Sequence, residues 1–163
     1  METETGTRTE YGSIEREIRI EASREVVFDV VSSPEHLREW WPDEVDLPGI
    51  PGVAGRIGFG KAADGAVDWM QFTVVDAVPP RLFSFRWTHP EGEAARRGNS
   101  HLVVFELEAV GDGATLLRMT ETGFRERGWD EAKVVDRYND HTSGWNYYLP
   151  RLVDYAAAVQ AGR

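Results

Sequence analysis

The feature that most constrains the fold is one apolar and aromatic stripe near the end of the chain. Between about residues 130 and 161 its members recur at spacings of 4, 3, 4, 3, 4, 3 and 4 residues. This period is typical of an α-helix with one buried face, and such a face needs a partner surface. Because Pro150 removes one backbone donor, and Gly144 precedes it in the same stretch, we expect a bend and not a break. The stripe consists of Val134, Tyr138, His141, Trp145, Tyr148, Leu152, Tyr155 and Val159.

The segments before this helix predict the surface that it covers. Alternation of apolar and polar residues predicts strands, and the short polar connectors between them favour antiparallel hairpins. Two short helices follow the first strand, with Ser23 as the cap of the first and Pro34 opening the second. The predicted elements are a strand at 13–22, helices at 23–33 and 34–41, a loop at 42–55, and strands at 55–60, 67–78, 81–88, 100–110 and 114–122.

This order predicts an α+β fold in which a curved antiparallel sheet of about six or seven strands wraps around the long C-terminal helix. We expect a single domain over residues 13–161, since 163 residues suit one core. Residues 1–12 are polar and are predicted to form a disordered tail.

Composition and charge exclude several classes of function. The chain carries 28 acidic and 18 basic residues, a formal net charge of −10 that disfavours binding to nucleic acid. It has no cysteine, and no apolar stretch of about 18 residues that would insert into a membrane. The four histidines show no metal-ligand spacing, and no cofactor motif stands out. We expect a cytoplasmic protein without metal or cofactor, and edge strands that are compatible with a homodimer.

Polar atoms on the helix stripe predict the site. Burying such an atom without a partner costs about 1–3 kcal/mol, so each one either finds a protein partner in a filled core or faces a wet or ligand-filled cavity. Apolar walls with a few polar groups are typical of ligand pockets. The orientation of Trp69 depends on strand register, because Met70 and Phe72 alternate with it. The candidate ligand-binding residues are Trp41, Trp69, Phe85, Trp87, His101, Phe105, Met119, Glu121, Tyr138, His141, Trp145 and Tyr148.

Two further interpretations concern charged groups. Arg16 falls on the apolar face of the first strand, where it either pairs with Glu121 or an acid on the helix, or anchors a ligand carboxylate. His101 and His141 are expected to meet across the cavity, as hydrogen-bonded structural residues or as an acid and base. Asp140 points elsewhere on the helix and is a poor partner for His141.

Four segments together resemble a known family. The segments EIRIEASREVVFDVVSSPEHLREWW, WMQFTVVDAVPPRLFSFRW, TETGF and SGWNYYLPRLVDY are similar to the small bacterial form of the family named after the activator of the heat-shock-protein-90 ATPase. The resemblance covers roughly residues 13–160.

The resemblance implies the helix-grip fold of birch-pollen-allergen-like and START domains, whose members often hold apolar small molecules between sheet and helix. It carries over no catalytic residue. Three functions therefore stay open: a binding module for an apolar or aromatic small molecule, a co-chaperone-like protein-interaction module, and a cyclase or hydrolase that uses the same cavity.

Overall fold

The structure is a computed structural model that describes residues 10–48, 50–60 and 65–163. In this part of the chain, seven strands form one antiparallel sheet in the order β1-β7-β6-β5-β4-β3-β2. The predicted α+β architecture is confirmed. The elements are β1 (Ser13–Ile20), α1 (Arg24–Ser32), α2 (Pro34–Trp40), β2 (Glu44–Asp46), β3 (Ala54–Phe59), β4 (Asp68–Val78), β5 (Leu82–Trp87), β6 (His101–Val110), β7 (Ala114–Thr122), a 3-10 turn (Arg125–Arg127) and α3 (Glu131–Ala161).

The two short helices begin where the sequence predicts. The Ser23 side chain caps α1 by accepting a hydrogen bond from the backbone N–H of Val26 at 3.3 Å, which satisfies one of the donors left free at a helix start. Pro34 occupies the first turn of α2, where its missing N–H costs no helical bond. The helix ends at Trp40, so Trp41 leaves it and points toward the sheet, where it contacts Phe85 and Trp87.

The prediction that residues 42–55 form only a loop is wrong at its two ends. Glu44–Asp46 forms the short edge strand β2, which pairs with β3 through Val45 opposite Ile57. Strand β3 also begins one residue earlier than predicted, at Ala54. A three-residue strand with two acids has no period of its own to detect, and only its pairing with β3 defines it.

One face of the sheet carries the core. Alternate residues of the central strands point toward this face and are fully or almost fully buried. The row that crosses it runs from Ile14 on β1 through Glu121, Val103 and Phe85 to Val74 on β4. Glu121 is the one charged residue in an otherwise apolar row, and its exposed fraction is 0%. The register therefore places a carboxylate in the interior of the protein.

Helix α3 closes the core. Its first turn is capped by the Asp130 carboxylate, which accepts from Lys133 N–H at 2.9 Å. The helix continues through Gly144 and Pro150 to Ala161, and the predicted bend stays a prediction. The stripe is confirmed as the inward side, and Leu149 and Ala156 extend the buried set. No helix in the described ranges is both long and apolar enough to cross a membrane.

The N-terminal tail falls partly outside the described residues. Residues 1–9 of the predicted disordered segment lie outside them. Tyr11 has a defined position, with its ring edge-on to Tyr138 at 5.3 Å between centroids. Arg125 also donates to the backbone carbonyl of Glu10. The packed structure thus begins before residue 13.

Candidate functional site

The centre of the site is the buried carboxylate of Glu121. Its Oε1 accepts a hydrogen bond from the indole Nε1 of Trp145 at 2.8 Å. Its Oε2 accepts from the indole Nε1 of Trp87 at 2.8 Å and is bonded to Nδ1 of His141 at 2.9 Å. Three ring nitrogens from β5 and α3 therefore surround one carboxylate on β7, and they supply the partners that a buried charge requires.

The electrostatics of this cluster favour an ionised Glu121. Burial alone would raise its pKa, but the neighbouring His141, its hydrogen bond and that of Trp145 outweigh burial, so the pKa lies below its ordinary value. An ionised carboxylate only accepts hydrogen bonds, so Nδ1 of His141 carries the proton between them. The second ring nitrogen of His141, Nε2, is then the one that remains for other partners.

His101 completes the group behind His141. The two imidazole rings are 4.8 Å apart between centroids, in an edge-to-face arrangement. Burial lowers the pKa of His101 to about 3, against opposing attraction from Glu121. His101 is therefore a neutral ring at physiological pH. The expectation that the two histidines meet is confirmed, but only His141 lines the cleft described next, so they do not meet across it.

A cleft of about 430 Å³ lies between α3 and the outer half of the sheet. The indoles of Trp41, Trp87 and Trp145 are almost fully buried and form its deep part, with Trp41 5.2 Å from Trp87 and 5.3 Å from Trp145 between centroids. Tyr147, which is 61% exposed, stands at the rim. The complete lining is Trp41, Phe59, Asp68, Met70, Trp87, Thr88, Asp140, His141, Ser143, Gly144, Trp145, Tyr147 and Tyr148.

The structure brings five of the twelve candidate residues to this cleft, namely Trp41, Trp87, His141, Trp145 and Tyr148. A second set is buried behind it and shapes it indirectly: Phe85, His101, Phe105, Met119 and Glu121. Their role in ligand binding stays a prediction.

Two candidates lie apart from the cleft. Tyr138 donates its hydroxyl to the Ser13 carbonyl at 2.9 Å and joins α3 to β1. Trp69 is 36% exposed, with the Arg56 guanidinium 4.0 Å from its ring centroid. The register of β4 instead turns Met70 and Phe72 inward, and Met70 lines the cleft.

The expected pairing of Arg16 with an acid is wrong. Arg16 donates to the side-chain oxygen of Asn146 on α3 at 3.2 Å and to the backbone carbonyl of Glu15 at 2.9 Å. In the sheet register Arg16 lies opposite Met119, two residues away from Glu121. An amide and not a carboxylate therefore fixes this side chain.

Sequence reasoning missed Thr88 and Gly144 as lining residues. Thr88 follows β5 and has a positive φ of 69°, which is strained for a β-branched residue. It is held there by its N–H bond to the Gln71 carbonyl at 3.0 Å and by Arg127, which donates to its hydroxyl at 2.8 Å. The sequence predicts only a helix bend from Gly144, yet in the described structure no atom outside its own helical turn lies within 4 Å of an added Cβ. It leaves open space above the cleft.

Fold and site together define the class of protein: an α+β helix-grip protein in which a long helix closes one side of a curved sheet. The chain belongs to the family described as activator of Hsp90 ATPase homolog 1-like protein, whose model matches residues 21–157. Membership of this family points to a ligand-binding or co-chaperone-like module. Among curated proteins, no sequence matches this chain significantly.

Solved structures share the fold. The Aha1 dimer from Colwellia psychrerythraea has a TM-score of 0.68 at 21% identity, covering 89% of this chain and 96% of that chain. Protein NE0264 from Nitrosomonas europaea has a TM-score of 0.70 at 14% identity, over 93% and 97% of the two chains. Protein MLL2253 from Mesorhizobium loti has a TM-score of 0.65 at 21% identity, over 88% and 95%. At these identities the likeness concerns the fold alone.

Proposed function

We propose that this protein binds an apolar or aromatic small molecule in the cleft between α3 and the sheet. The observation that carries the proposal is the cleft itself, about 430 Å³ lined largely by aromatic rings. Pockets of this size with apolar walls and a few polar groups are typical of small-molecule sites.

Two local features that cost stability support a functional role for the cleft. Gly144 occupies a helical position where glycine costs up to about 1 kcal/mol relative to alanine. Thr88 holds a strained backbone at the cleft wall, and such strain concentrates at functional sites. Both features cost stability and both lie on the same cleft, so a function of the cleft accounts for them together.

A variant that fills the cleft tests the proposal. We expect Gly144→Leu to place its side chain in the open space and to abolish binding of N-phenyl-1-naphthylamine, a neutral probe whose fluorescence rises in apolar sites. Because leucine is a better helix former than glycine, the variant should fold at least as stably as the wild type. Loss of binding is then due to occlusion and not to unfolding.

Gly144→Ala is the matched control, since it changes helix propensity in the same direction and adds only one methyl group. We expect it to retain most of the probe affinity. Unchanged binding by a folded Gly144→Leu variant would show that the probe binds elsewhere, and the proposal would be abandoned.

A second candidate function is acid–base catalysis in the same cleft. The observation that favours it is the 2.9 Å bond between Glu121 and Nδ1 of His141. His141 also lines the cleft. In such a step Nε2 of His141 takes a proton from an acidic C–H of the bound molecule, and Glu121 stabilises the imidazolium that forms. The same nitrogen then returns the proton to the molecule.

Deuterium exchange tests this second candidate. Phenylacetone in D₂O, followed by proton NMR, should lose its α-hydrogens faster with the wild-type protein than with His141→Phe. Equal exchange rates for the two proteins, at a phenylacetone concentration that perturbs the cleft resonances, would exclude acid–base catalysis of this exchange. The proposal of ligand binding would still stand.

The proposal extends to the form of the protein in solution. The Colwellia psychrerythraea structure is that of a dimer, and we propose a homodimer for this chain as well. Sedimentation velocity at micromolar concentration distinguishes a monomer from a homodimer, and a single monomeric species would overturn the proposed homodimer.

A further inference from the structure

We infer that the molecule bound in the cleft is a cation: a protonated amine or a quaternary ammonium group carried on an apolar or aromatic body. This inference rests on the proposed function, because it names the chemical class of the ligand for the same cleft. It follows from the groups that line the cleft, namely ring faces and carboxylates, and from the ring N–H donors there that are already bonded to Glu121.

Two of the three indole N–H donors at the deep end of the cleft are occupied, and so is one ring N–H of His141. The indole N–H groups of Trp87 and Trp145 both point back to Glu121, at 2.8 Å each, and Nδ1 of His141 is bound to the same carboxylate at 2.9 Å. A ligand acceptor such as a carboxylate or sulfonate would have to compete with Glu121 for these donors. The indoles of Trp87 and Trp145 therefore present their π-systems to the cleft and not their polar ends.

The charges around the cleft are negative. Asp68 and Asp140 line it and are exposed, and the lining includes no lysine or arginine among the described residues. Glu121 adds a carboxylate directly behind the indole wall. Burial and the charge of Asp43 raise the pKa of Tyr148, so this ring also remains neutral and electron-rich.

Within the described ranges, two arginines contact lining residues, and both are engaged elsewhere. Arg127 donates to the Thr88 hydroxyl at 2.8 Å and lies 4.6 Å from the ring centroid of Trp129. Arg151 donates to the Trp40 carbonyl at 3.2 Å and lies over the ring of Tyr147. Neither guanidinium belongs to the lining. His141 is the only histidine in the described lining, and its Nδ1 is bonded directly to Glu121.

An aromatic wall with carboxylates at its rim suits a cation better than any other ligand of the same size. The faces of indole and phenol rings attract cations, and exclusion of water strengthens this attraction. Hydrogen bonds from the indole N–H groups to an anionic carboxylate increase the electron density of both rings. The rim carboxylates then supply acceptors for an ammonium N–H or a counter-charge for a quaternary nitrogen.

Three probes that share a benzyl group test the inference: benzyltrimethylammonium, benzyl alcohol and phenylacetate. Binding is measured by perturbation of cleft resonances in ¹H–¹⁵N NMR titrations. We expect the cation to bind about tenfold more tightly than the neutral alcohol and phenylacetate to bind most weakly. We also expect Asp68→Asn and Asp140→Asn each to lower the affinity for the cation by about two- to fivefold without changing the affinity for benzyl alcohol.

Asp112→Asn is the matched control, because it removes one acidic charge in the exposed β6–β7 turn. It should leave all three affinities unchanged. The inference is overturned, while binding in the cleft stands, if benzyl alcohol or phenylacetate binds as tightly as the cation. The same holds if Asp112→Asn lowers the affinity for the cation as much as Asp68→Asn and Asp140→Asn do. If none of the three perturbs the cleft resonances at millimolar concentration, both the inference and the proposed function fail.

Discussion

Trp145 on α3 donates its indole N–H to Glu121 on β7 at 2.8 Å, and both side chains are almost completely buried. This single contact joins the closing helix to the centre of the sheet through a charged group. The other oxygen of the same carboxylate holds Trp87 and His141. The packing of the helix against the sheet is therefore coupled to the rings that form the wall of the cleft.

Replacing Glu121 tests how much this cluster contributes to stability. Glutamine keeps the shape of the side chain but replaces one acceptor oxygen by an NH₂ group, which only donates. At least one of the three ring donors therefore loses its partner. We expect Glu121→Gln to lower the free energy of unfolding by about 1–3 kcal/mol, measured by urea denaturation. The exposed Glu91→Gln should stay within about 0.5 kcal/mol of the wild type. Equal effects of the two changes would mean that the cluster is not structural.

Removing one indole donor should change the ionisation of Glu121. Trp145→Phe keeps an aromatic ring but loses the N–H that stabilises the carboxylate, so the pKa of Glu121 should rise. Titration of the ¹³C-labelled side-chain carboxyl by NMR measures this directly. Trp129→Phe removes an indole that is not bonded to Glu121 and serves as the control. A pKa that is the same in both variants contradicts the role assigned to the indole.

Stability should fall in acid in two windows. The pKa of buried His101 drops from 6.5 to about 3, so only the unfolded chain binds its proton between these values. Stability is therefore present above pH 6.5 and is lost as the pH falls, by up to about 1.4 kcal/mol per unit. Burial lowers the pKa of His89 as well, which acts in the same direction. Below about pH 4.5, Glu121 adds to the loss, because its depressed pKa makes the unfolded chain protonate first.

His101→Phe separates these contributions, since phenylalanine occupies a similar volume and does not titrate. Its unfolding free energy should decline less steeply than that of the wild type between pH 6.5 and about 3, and with a similar slope below that range. Urea midpoints at half-unit pH steps give both slopes. Parallel curves throughout would show that His101 is not held neutral by burial.

Replacement by alanine should change stability in opposite directions at two glycines. In Gly144→Ala the added methyl meets open space on a helix, so we expect stability to rise by about 0.5–1 kcal/mol. Gly123 has a φ of +114°, and a Cβ there would lie 2.6 Å from the Ser100 carbonyl oxygen. Gly123→Ala should therefore be destabilising. Thermal unfolding of both variants checks the signs, and a destabilised Gly144→Ala would mean that the space above the cleft is not free.

The contrast between Tyr148 and Trp69 tests which aromatic residues belong to the site. Tyr148 lines the cleft, whereas Trp69 stacks with Arg56 outside it. We expect Tyr148→Ala to weaken binding of N-phenyl-1-naphthylamine by about fivefold or more. Trp69→Ala should leave it unchanged, as fluorescence titration would show. The reverse order would place the binding site on the other face of the sheet.

The sequence by itself determined the elements and the fold. A 3.6-residue period from Val134 to Val159 fixed the closing helix, alternation fixed the larger strands, and Ser23 and Pro34 fixed the starts of the two short helices. These signals are local, because a backbone with a given period exposes the same face whatever lies opposite it. For the same reason the short strand β2, which depends wholly on its partner β3, was not predicted.

Only the tertiary structure decided what each inward residue meets. Tyr138 and Trp145 share one stripe, yet one reaches a backbone carbonyl and the other a buried carboxylate. Register turned Met70 and not Trp69 toward the cleft, and Arg16 met Asn146 and not Glu121. The physical reason is that a side-chain period gives a direction but no partner. Strand register, sheet curvature and the placement of α3 bring residues that are distant in sequence to within hydrogen-bond reach.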